Sequence, residues 1–279
     1  MTQTAPALKS RPNVSLELDS PELATTYDVV SVRQFNHGKI LIEALAPKAG
    51  ERVLDVGCGT GRLGEYVAGL VGPRGEVVGV DPLPLRIELA ARNNPRFKAQ
   101  VGRAEDLSAF GDATFDVVYA NSVFHWVADK PKALKEALRV LKPGGRIGVN
   151  SADGDRAHQS AGLVREAVLE EGLSDVAAAN GFGTNFRVTG PELKNLLASA
   201  GFEDSAVTPH TFVDELTGVD DLITWSTSSS FGNFLSELDA GQRARVRDRL
   251  ARKLEAHRTN GALRLERYLV FATGRKPRA

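Results

Sequence analysis

A glycine-rich stretch at residues 53–62, Val-Leu-Asp-Val-Gly-Cys-Gly-Thr-Gly-Arg, constrains the fold of this chain more than any other feature. Its first four residues are mostly β-branched or apolar and predict a short buried strand. Three glycines then occupy alternate positions, namely Gly57, Gly59 and Gly61. Glycines let the backbone turn sharply and approach a ligand where a Cβ would clash. Residues 63–71 have apolar positions at helical spacing, so the turn leads into a helix N-terminus and predicts a nucleotide-type ligand there.

An acidic residue before the glycines indicates which nucleotide fits. Residues 59–64 satisfy the dinucleotide pattern G-x-G-x-x-G, and Asp81 lies 20 residues beyond Gly61, as that pattern requires. However, the carboxylate of Asp55 suits a ligand with an ammonium and a sulfonium better than a pyrophosphate. The string Asp55-x-Gly-x-Gly-x-Gly61 resembles motif I of the class I S-adenosylmethionine-dependent methyltransferases. The resemblance implies a methyltransferase with S-adenosylmethionine as its cofactor, and an NAD-dependent dehydrogenase is the alternative from another class.

Strand patterns alternate with helical patterns along most of the chain, which is typical of a parallel sheet with crossover helices. We therefore predict an α/β fold with a Rossmann-like, seven-stranded, mostly parallel sheet, helices on both faces and an inserted cap. The predicted organisation is a flexible arm at 1–20, an N-terminal helical lid at 21–46, an S-adenosylmethionine-binding core at 47–154 and 191–213, cap insertions at 155–190 and 214–258, and the last core strand with a tail at 259–279.

Residues that follow the predicted strands are candidates for cofactor contacts, because ligands cross the carboxyl ends of the strands in open α/β sheets. A carboxylate at the end of the second strand can accept hydrogen bonds from ribose hydroxyls. The resemblance implies that the loop after the third strand recognises adenine. In that loop Arg103 replaces the acidic residue of many relatives, so Glu105 is the substitute. The predicted cofactor residues are Asp55, Gly57, Gly59, Gly61, Asp81, Leu83, Ala104, Glu105 and Asn121.

His125 is the candidate catalytic residue, because it follows the fourth strand and an imidazole can titrate near neutral pH. If the acceptor needs deprotonation, His125 is the predicted base; otherwise it orients the loop. The neighbouring His-Trp string resembles a loop of small-molecule methyltransferases such as the trans-aconitate and juvenile hormone acid enzymes. That resemblance implies a carboxylate, a phenol or another small acceptor. The candidate substrate residues are Tyr27, Trp126, Arg187 and Trp225, although each could instead serve packing or lie at the surface.

The amino-acid composition limits the functions and partners that this chain can have. Lys plus Arg and Asp plus Glu number 35 each, so no overall basic excess predicts a nucleic-acid partner. A methyltransferase acting on RNA or protein, and a catalytically silent binding protein, stay open as alternatives. The single cysteine, Cys58, permits neither an intrachain disulfide nor a cysteine-rich zinc site, and we predict no metal. The absence of a long apolar run predicts a soluble cytoplasmic protein without membrane contact. The sequence does not indicate the oligomeric state.

Overall fold

The computed structural model describes residues 15–175 and 186–278 as strands and helices around one sheet. The strands are β1 (Arg52–Val56), β2 (Glu76–Asp81), β3 (Lys98–Val101), β4 (Phe115–Ala120), β5 (Leu141–Ala152), β6 (Glu203–Leu216), β7 (Arg258–Thr259) and β8 (Ala262–Arg275). The helices are α1 (Pro21–Val30), α2 (Val32–Leu45), α3 (Arg62–Val71), α4 (Pro84–Asn93), α5 (Lys130–Val140), α6 (Gln159–Glu170), α7 (Gly190–Ala200), α8 (Val219–Ser229) and α9 (Ala240–Glu255). Across these residues, every helix falls short of the length and apolar character that a membrane span requires.

The strands form a sheet in the order β3-β2-β1-β4-β5-β8-β6, with the two-residue β7 paired to β8. Strands β1 to β5 are parallel, whereas β8 runs antiparallel to both β5 and β6. The central strands are buried on both faces, which explains their continuous apolar runs. The predicted fold class is confirmed, with one short strand more than the predicted seven.

Three hydrophobic clusters contain most of the buried apolar residues that the structure describes. One covers a face of the sheet with α5 and α7, and a second covers the other face with α2 and α3. The third joins α6, α8 and α9 to the adjoining ends of β6 and β8, through residues such as Val164, Leu222 and Leu250. We call the unit formed by α6, α8 and α9 the cap. The structure therefore packs together two chain segments that the sequence predicts as separate insertions.

The first described residues differ from the predicted flexible arm. Ser15 exchanges two backbone hydrogen bonds with the Asn233 side chain, at 3.0 and 2.9 Å. Residues Leu16–Leu18 form a single 3₁₀ turn that the Ser15 hydroxyl caps. Asp19 then pairs with Arg86. For residues 15–20 the expectation of an unanchored arm is wrong, because distant polar partners hold this segment; residues 1–14 of that arm lie outside the described residues.

Candidate active site

The carboxyl ends of β1 to β4 meet at a cavity of about 360 Å³, which we call the glycine-loop cavity. A volume of this size falls in the range of roughly 300–1,000 Å³ that is usual for ligand pockets. Seven of the nine predicted cofactor residues line it. They are Gly57 and Gly59 after β1, Asp81 and Leu83 at the end of β2, Ala104 and Glu105 after β3, and Asn121 after β4. The predicted strand-end placement therefore brings these residues together.

The other two predicted cofactor residues, Asp55 and Gly61, do not line this cavity. Asp55 lines a smaller adjoining cavity of about 30 Å³, and its Oδ2 accepts a hydrogen bond of 2.7 Å from the Tyr119 hydroxyl. Gly61 caps α3 with a φ of 80°, where a Cβ would lie 2.8 Å from the Phe97 ring. A Cβ on Gly57 would similarly lie 2.2 Å from Val123. Packing within the protein therefore favours glycine at both positions.

Asp81 organises the glycine loop. Its Oδ2 accepts a hydrogen bond from the Gly59 N–H at 2.9 Å, and its Oδ1 accepts one from the Leu83 N–H at 3.0 Å. Burial raises the pKa of this carboxyl, while the nearby Arg86 guanidinium and the two backbone bonds act to lower it. Each carboxylate oxygen keeps a second lone pair that can accept a hydroxyl hydrogen bond. Together with apolar walls that include Leu83 and Phe231, these acceptor atoms fit a nucleoside.

A second cavity of about 100 Å³ opens between the sheet and the cap, and we call it the cap cavity. It is lined by the candidate catalytic residue and by every candidate substrate residue, that is, by His125, Tyr27, Trp126, Arg187 and Trp225. Four residues line both cavities: Tyr27, Ser122, Trp126 and Ser229. Tyr27 also lines the small cavity beside Asp55. A ligand in the cap cavity would therefore lie next to one in the glycine-loop cavity.

Positive charge characterises the lining of the cap cavity. Arg33, Arg187 and Arg267 line it, and no Asp or Glu does so among the residues that the structure describes. Arg267 is buried, binds Asp214 at 2.5 Å and lies with its Cζ 4.1 Å from the centre of the Trp225 ring. Guanidinium groups are the preferred protein partners of carboxylates, since they can donate two parallel hydrogen bonds. The cavity is thus suited to an anion.

Two histidines of the cap cavity have a defined tautomer. The Nδ1 atom of His125 accepts a hydrogen bond of 3.2 Å from the Ala152 N–H, and Nδ1 of His158 accepts one of 3.1 Å from the Tyr268 N–H. The ring proton of each neutral imidazole therefore resides on Nε2, which acts as a donor. Burial lowers the pKa of His125 to about 3 and that of His158 well below its usual range. Both rings stay neutral at physiological pH.

The loop between the two cavities is fixed by an amide network. The side chain of the buried Asn150 accepts a hydrogen bond of 2.5 Å from the Ser122 N–H and donates one of 2.7 Å to Asn121. Asn121 in turn donates to the Gln34 carbonyl of α2 at 2.9 Å. Ser122 has a φ of 59°, a left-handed conformation that is uncommon outside glycine and often found at functional sites. This network links β4, β5 and α2 where the cavities join.

Several lining residues were not identified from the sequence, notably Arg33, Arg86, His158 and Arg267. A signal existed for Arg267, because it occupies the buried face of β8 in line with Leu265 and Leu269. A charge at such an alternating apolar position indicates a specific partner or ligand. Arg33 and His158 carry no comparable pattern, since their place in the site depends on how α2 and α6 pack.

Metal and thiol chemistry have no basis in the described residues. Across 15–175 and 186–278, no group of three or more His, Cys, Asp or Glu side chains could hold a metal ion. Asp153 accepts a hydrogen bond from the Asp155 N–H and pairs with Arg156. Burial raises the pKa of the Cys58 thiol well above its usual range, so the reactive thiolate is disfavoured.

The fold and site define a Rossmann-like protein in which the glycine-loop cavity at the strand ends adjoins the arginine-lined cap cavity. Residues 54–149 match the family model described as "Methyltransferase domain". An uncharacterized methyltransferase of Mycobacterium tuberculosis is 37% identical over 54% of this chain and 56% of its own. Trans-aconitate 2-methyltransferase of Deinococcus radiodurans is 28% identical over 77% of this chain and 83% of its own length. Nocamycin O-methyltransferase of Saccharothrix syringae is 27% identical over 91% of this chain and 95% of its own length.

Among solved structures, the YcgJ protein of Bacillus subtilis is similar with a TM-score of 0.57 and 18% identity, over 88% of this chain and 99% of that one. This likeness concerns the fold. The chain spans just over half the length of the curated mycobacterial relatives it matches. Residues 54–149 therefore bear out the resemblance to a methyltransferase domain that the sequence predicts.

Proposed function

We propose that this protein transfers the methyl group of S-adenosylmethionine to a small-molecule acceptor bound in the cap cavity. The observation that carries the proposal is the junction of the two cavities, which share Tyr27, Ser122, Trp126 and Ser229. When bound, S-adenosylmethionine supplies a methyl group activated by its sulfonium. The protein therefore has mainly to align an acceptor atom with that methyl group. Such positioning can contribute up to roughly 7–11 kcal/mol to lowering the barrier.

A carboxylate acceptor suits this site better than a phenol. A phenol gains from a general base, whereas a carboxylate is already ionised at neutral pH. The geometry of His125 favours a hydrogen-bond donor over the base expected from the sequence, because its Nδ1 is engaged with Ala152 and its Nε2 carries the proton. No carboxylate lines the described part of the cavity to serve instead. The acceptor that needs no base is consequently favoured.

Binding of that carboxylate is assigned to the donors of the cap cavity. The guanidinium of Arg187 and the buried guanidinium of Arg267 supply charge, and the Nε2–H groups of His125 and His158 supply neutral donors. The aromatic ring of Trp225 lies against Arg267 and provides an apolar wall for the acceptor's body. Burial raises the pKa of Tyr27, so its hydroxyl stays protonated where the cavities join. The names of the trans-aconitate and nocamycin relatives support a small-molecule acceptor.

Calorimetric titration with S-adenosylhomocysteine, alongside NAD(H), tests the cofactor first. We expect micromolar binding of S-adenosylhomocysteine alone, and binding of NAD(H) alone would refute the proposal. Formation of S-adenosylhomocysteine is then measured with a panel of small carboxylic acids, phenols and amines between pH 6 and 8. We expect turnover with a carboxylic acid and a nearly flat pH profile, because no titrating base takes part. Turnover confined to phenols, rising with pH, would contradict the carboxylate assignment.

A further inference from the structure

Arg86 is a buried charged residue whose contacts span three parts of the chain. It lies in α4, is 4% exposed and lines the glycine-loop cavity. Its Nη2 donates a hydrogen bond of 2.6 Å to the Ser228 carbonyl at the end of α8. The same nitrogen lies 3.5 Å from Asp19 Oδ1, and the guanidinium lies 4.1 Å from the centre of the Tyr27 ring. A single side chain thus contacts the cap, α1 and the segment before α1.

That preceding segment, residues 15–20, is here called the strap. Leu16 of the strap lines the glycine-loop cavity directly. At its start, Ser15 is held by two hydrogen bonds to Asn233, in the loop that joins α8 and α9 of the cap. Its middle lies against the loop after α8 so closely that a Cβ on Gly232 would be 2.6 Å from the Leu18 carbonyl oxygen. The strap therefore forms part of the cavity wall, with one attachment to the cap and one to Arg86.

The attachment at Arg86 is incompletely satisfied. Arg86 Nε and Asp19 Oδ2 are both buried without a hydrogen-bond partner. We call the arrangement in which Asp19 contacts Arg86 the closed arrangement. Buried polar atoms without partners destabilise it, because they have lost their hydrogen bonds to water and formed none within the protein. The ion pair and the bond to Ser228 favour it. An attachment with opposing contributions of this kind can open and close, which a cavity that exchanges its ligand requires.

We propose that Arg86 is a positioning residue that fastens the strap and the cap over the bound cofactor and so limits the rate at which the cofactor leaves. The identity of that ligand rests on the proposed function. Arg86 acts through Asp19, Tyr27 and Ser228, so its loss frees the strap from α4 and releases the end of α8. Its charge also helps to keep the Asp81 carboxyl ionised for the ribose. Release of S-adenosylhomocysteine should therefore accelerate when either attachment of the strap is lost.

Stopped-flow fluorescence measures that release, since Trp126 lines the cavity and the chain has only two tryptophans. We expect Arg86→Met to release S-adenosylhomocysteine at least tenfold faster than the unaltered chain. Arg86→Lys should recover part of the loss, because an ammonium can pair with Asp19 but lacks the planar fork. Arg92→Met is the matched control, since Arg92 lies exposed on the same helix and should release at the original rate.

The attachment to the cap is tested away from the cavity. Asn233 lines neither the glycine-loop cavity nor the cap cavity, yet its amide binds both backbone groups of Ser15. Asn233→Ala and a deletion of residues 2–20 should each accelerate the release of S-adenosylhomocysteine several-fold. A deletion of residues 2–14 keeps every strap contact described and should leave the release rate unchanged. Unchanged release in Asn233→Ala and in the longer deletion would overturn the role of Arg86 and the strap, even if Arg86→Met fails to fold. Failure of the full chain to bind S-adenosylhomocysteine would instead overturn the proposed cofactor function.

Discussion

At the scale of single residues, Asp81 connects the loop conformation to cofactor affinity. Its two oxygens accept backbone hydrogen bonds from Gly59 and Leu83, and both still have a lone pair for a ribose hydroxyl. In Asp81→Asn an amide NH₂ would replace one of the two acceptor oxygens, so that two hydrogen-bond donors would face each other at one of the backbone N–H groups. We expect S-adenosylhomocysteine affinity to fall by about 1–3 kcal/mol, measured by calorimetry. Asp106→Asn, at an exposed position of the neighbouring loop, should leave the affinity unchanged; equal affinities for both variants would refute the ribose assignment.

His125 makes a residue-scale prediction about stability and pH. Its folded pKa of about 3 lies below the unfolded value near 6.5, so the unfolded chain binds a proton that the folded chain does not. The contribution of neutral His125 to the free energy of unfolding is fully present above about pH 6.5. It is lost as the pH falls below that value, at up to roughly 1.4 kcal/mol per pH unit. His125→Asn keeps an acceptor near Ala152 but cannot titrate. The free energy of unfolding of this variant should fall less steeply between pH 6 and 4.

Denaturant titrations of both proteins at several pH values measure the difference in slope. The comparison with the unaltered chain is essential, because other buried groups titrate in the same interval. His37 and His158 have lowered pKa values and act in the same direction, whereas burial raises the pKa of Asp55 to about 7 and acts in the opposite one. Identical slopes for the two proteins would mean that His125 is not buried in its neutral form.

The sequence indicated where the glycine loop and the strand-end residues lie, because their positions are encoded locally. Asp81 is the last residue of β2 and lies at a fixed distance from Gly61, so spacing was sufficient. Arg86 gave no such signal, although it lies only five positions beyond Asp81. Its partners Asp19 and Ser228 are distant in the chain, and helical periodicity does not indicate which charged residue will be buried.

At the scale of elements, boundaries differed from prediction where pairing overrides local propensity. The Lys-Pro-Gly-Gly stretch at 142–145 predicts a turn, yet it lies within β5, where the register against β4 shifts. Such a bulge accommodates Pro and Gly without ending the strand. Strand β6 continues to Leu216, beyond the core boundary predicted at 213, because it pairs with β8 along most of its length. Residues 21–46, predicted as one helical lid, form two helices that meet at Ser31.

The helices of the cap depend on burial within their shared cluster. Leu250 of α9 is fully buried there against α6 and α8. We expect Leu250→Ala to reduce the free energy of unfolding by about 2–5 kcal/mol, since it removes buried methyl groups and leaves a cavity. Leu169→Ala, on an exposed part of α6, should change it by less than about 0.5 kcal/mol. Denaturant unfolding compares the two, and equal effects would contradict a separately packed cap core.

At the scale of the whole molecule, the sheet, the lid helices and the cap meet at one buried charge pair. Arg267 of β8 binds Asp214 of β6, and Asp214 also lies 3.7 Å from Arg33 of α2. Trp225 of the cap covers both arginines. If only stability required this pair, an apolar pair would serve as well, because the desolvation of buried charges is costly. Its position in the cap cavity instead favours a role in binding an anionic acceptor.

A double substitution separates that role from stability. Arg267→Met alone leaves Asp214 buried beside fewer cations and should destabilise the fold by about 3–5 kcal/mol. Adding Asp214→Asn removes the uncompensated charge and should restore most of the loss. If Arg267 binds the acceptor, the double variant should keep its affinity for S-adenosylhomocysteine, because neither residue lines the glycine-loop cavity. Its KM for the acceptor should nevertheless rise at least tenfold. A stable double variant with the original KM would show that the pair serves folding and that the acceptor is held by other groups.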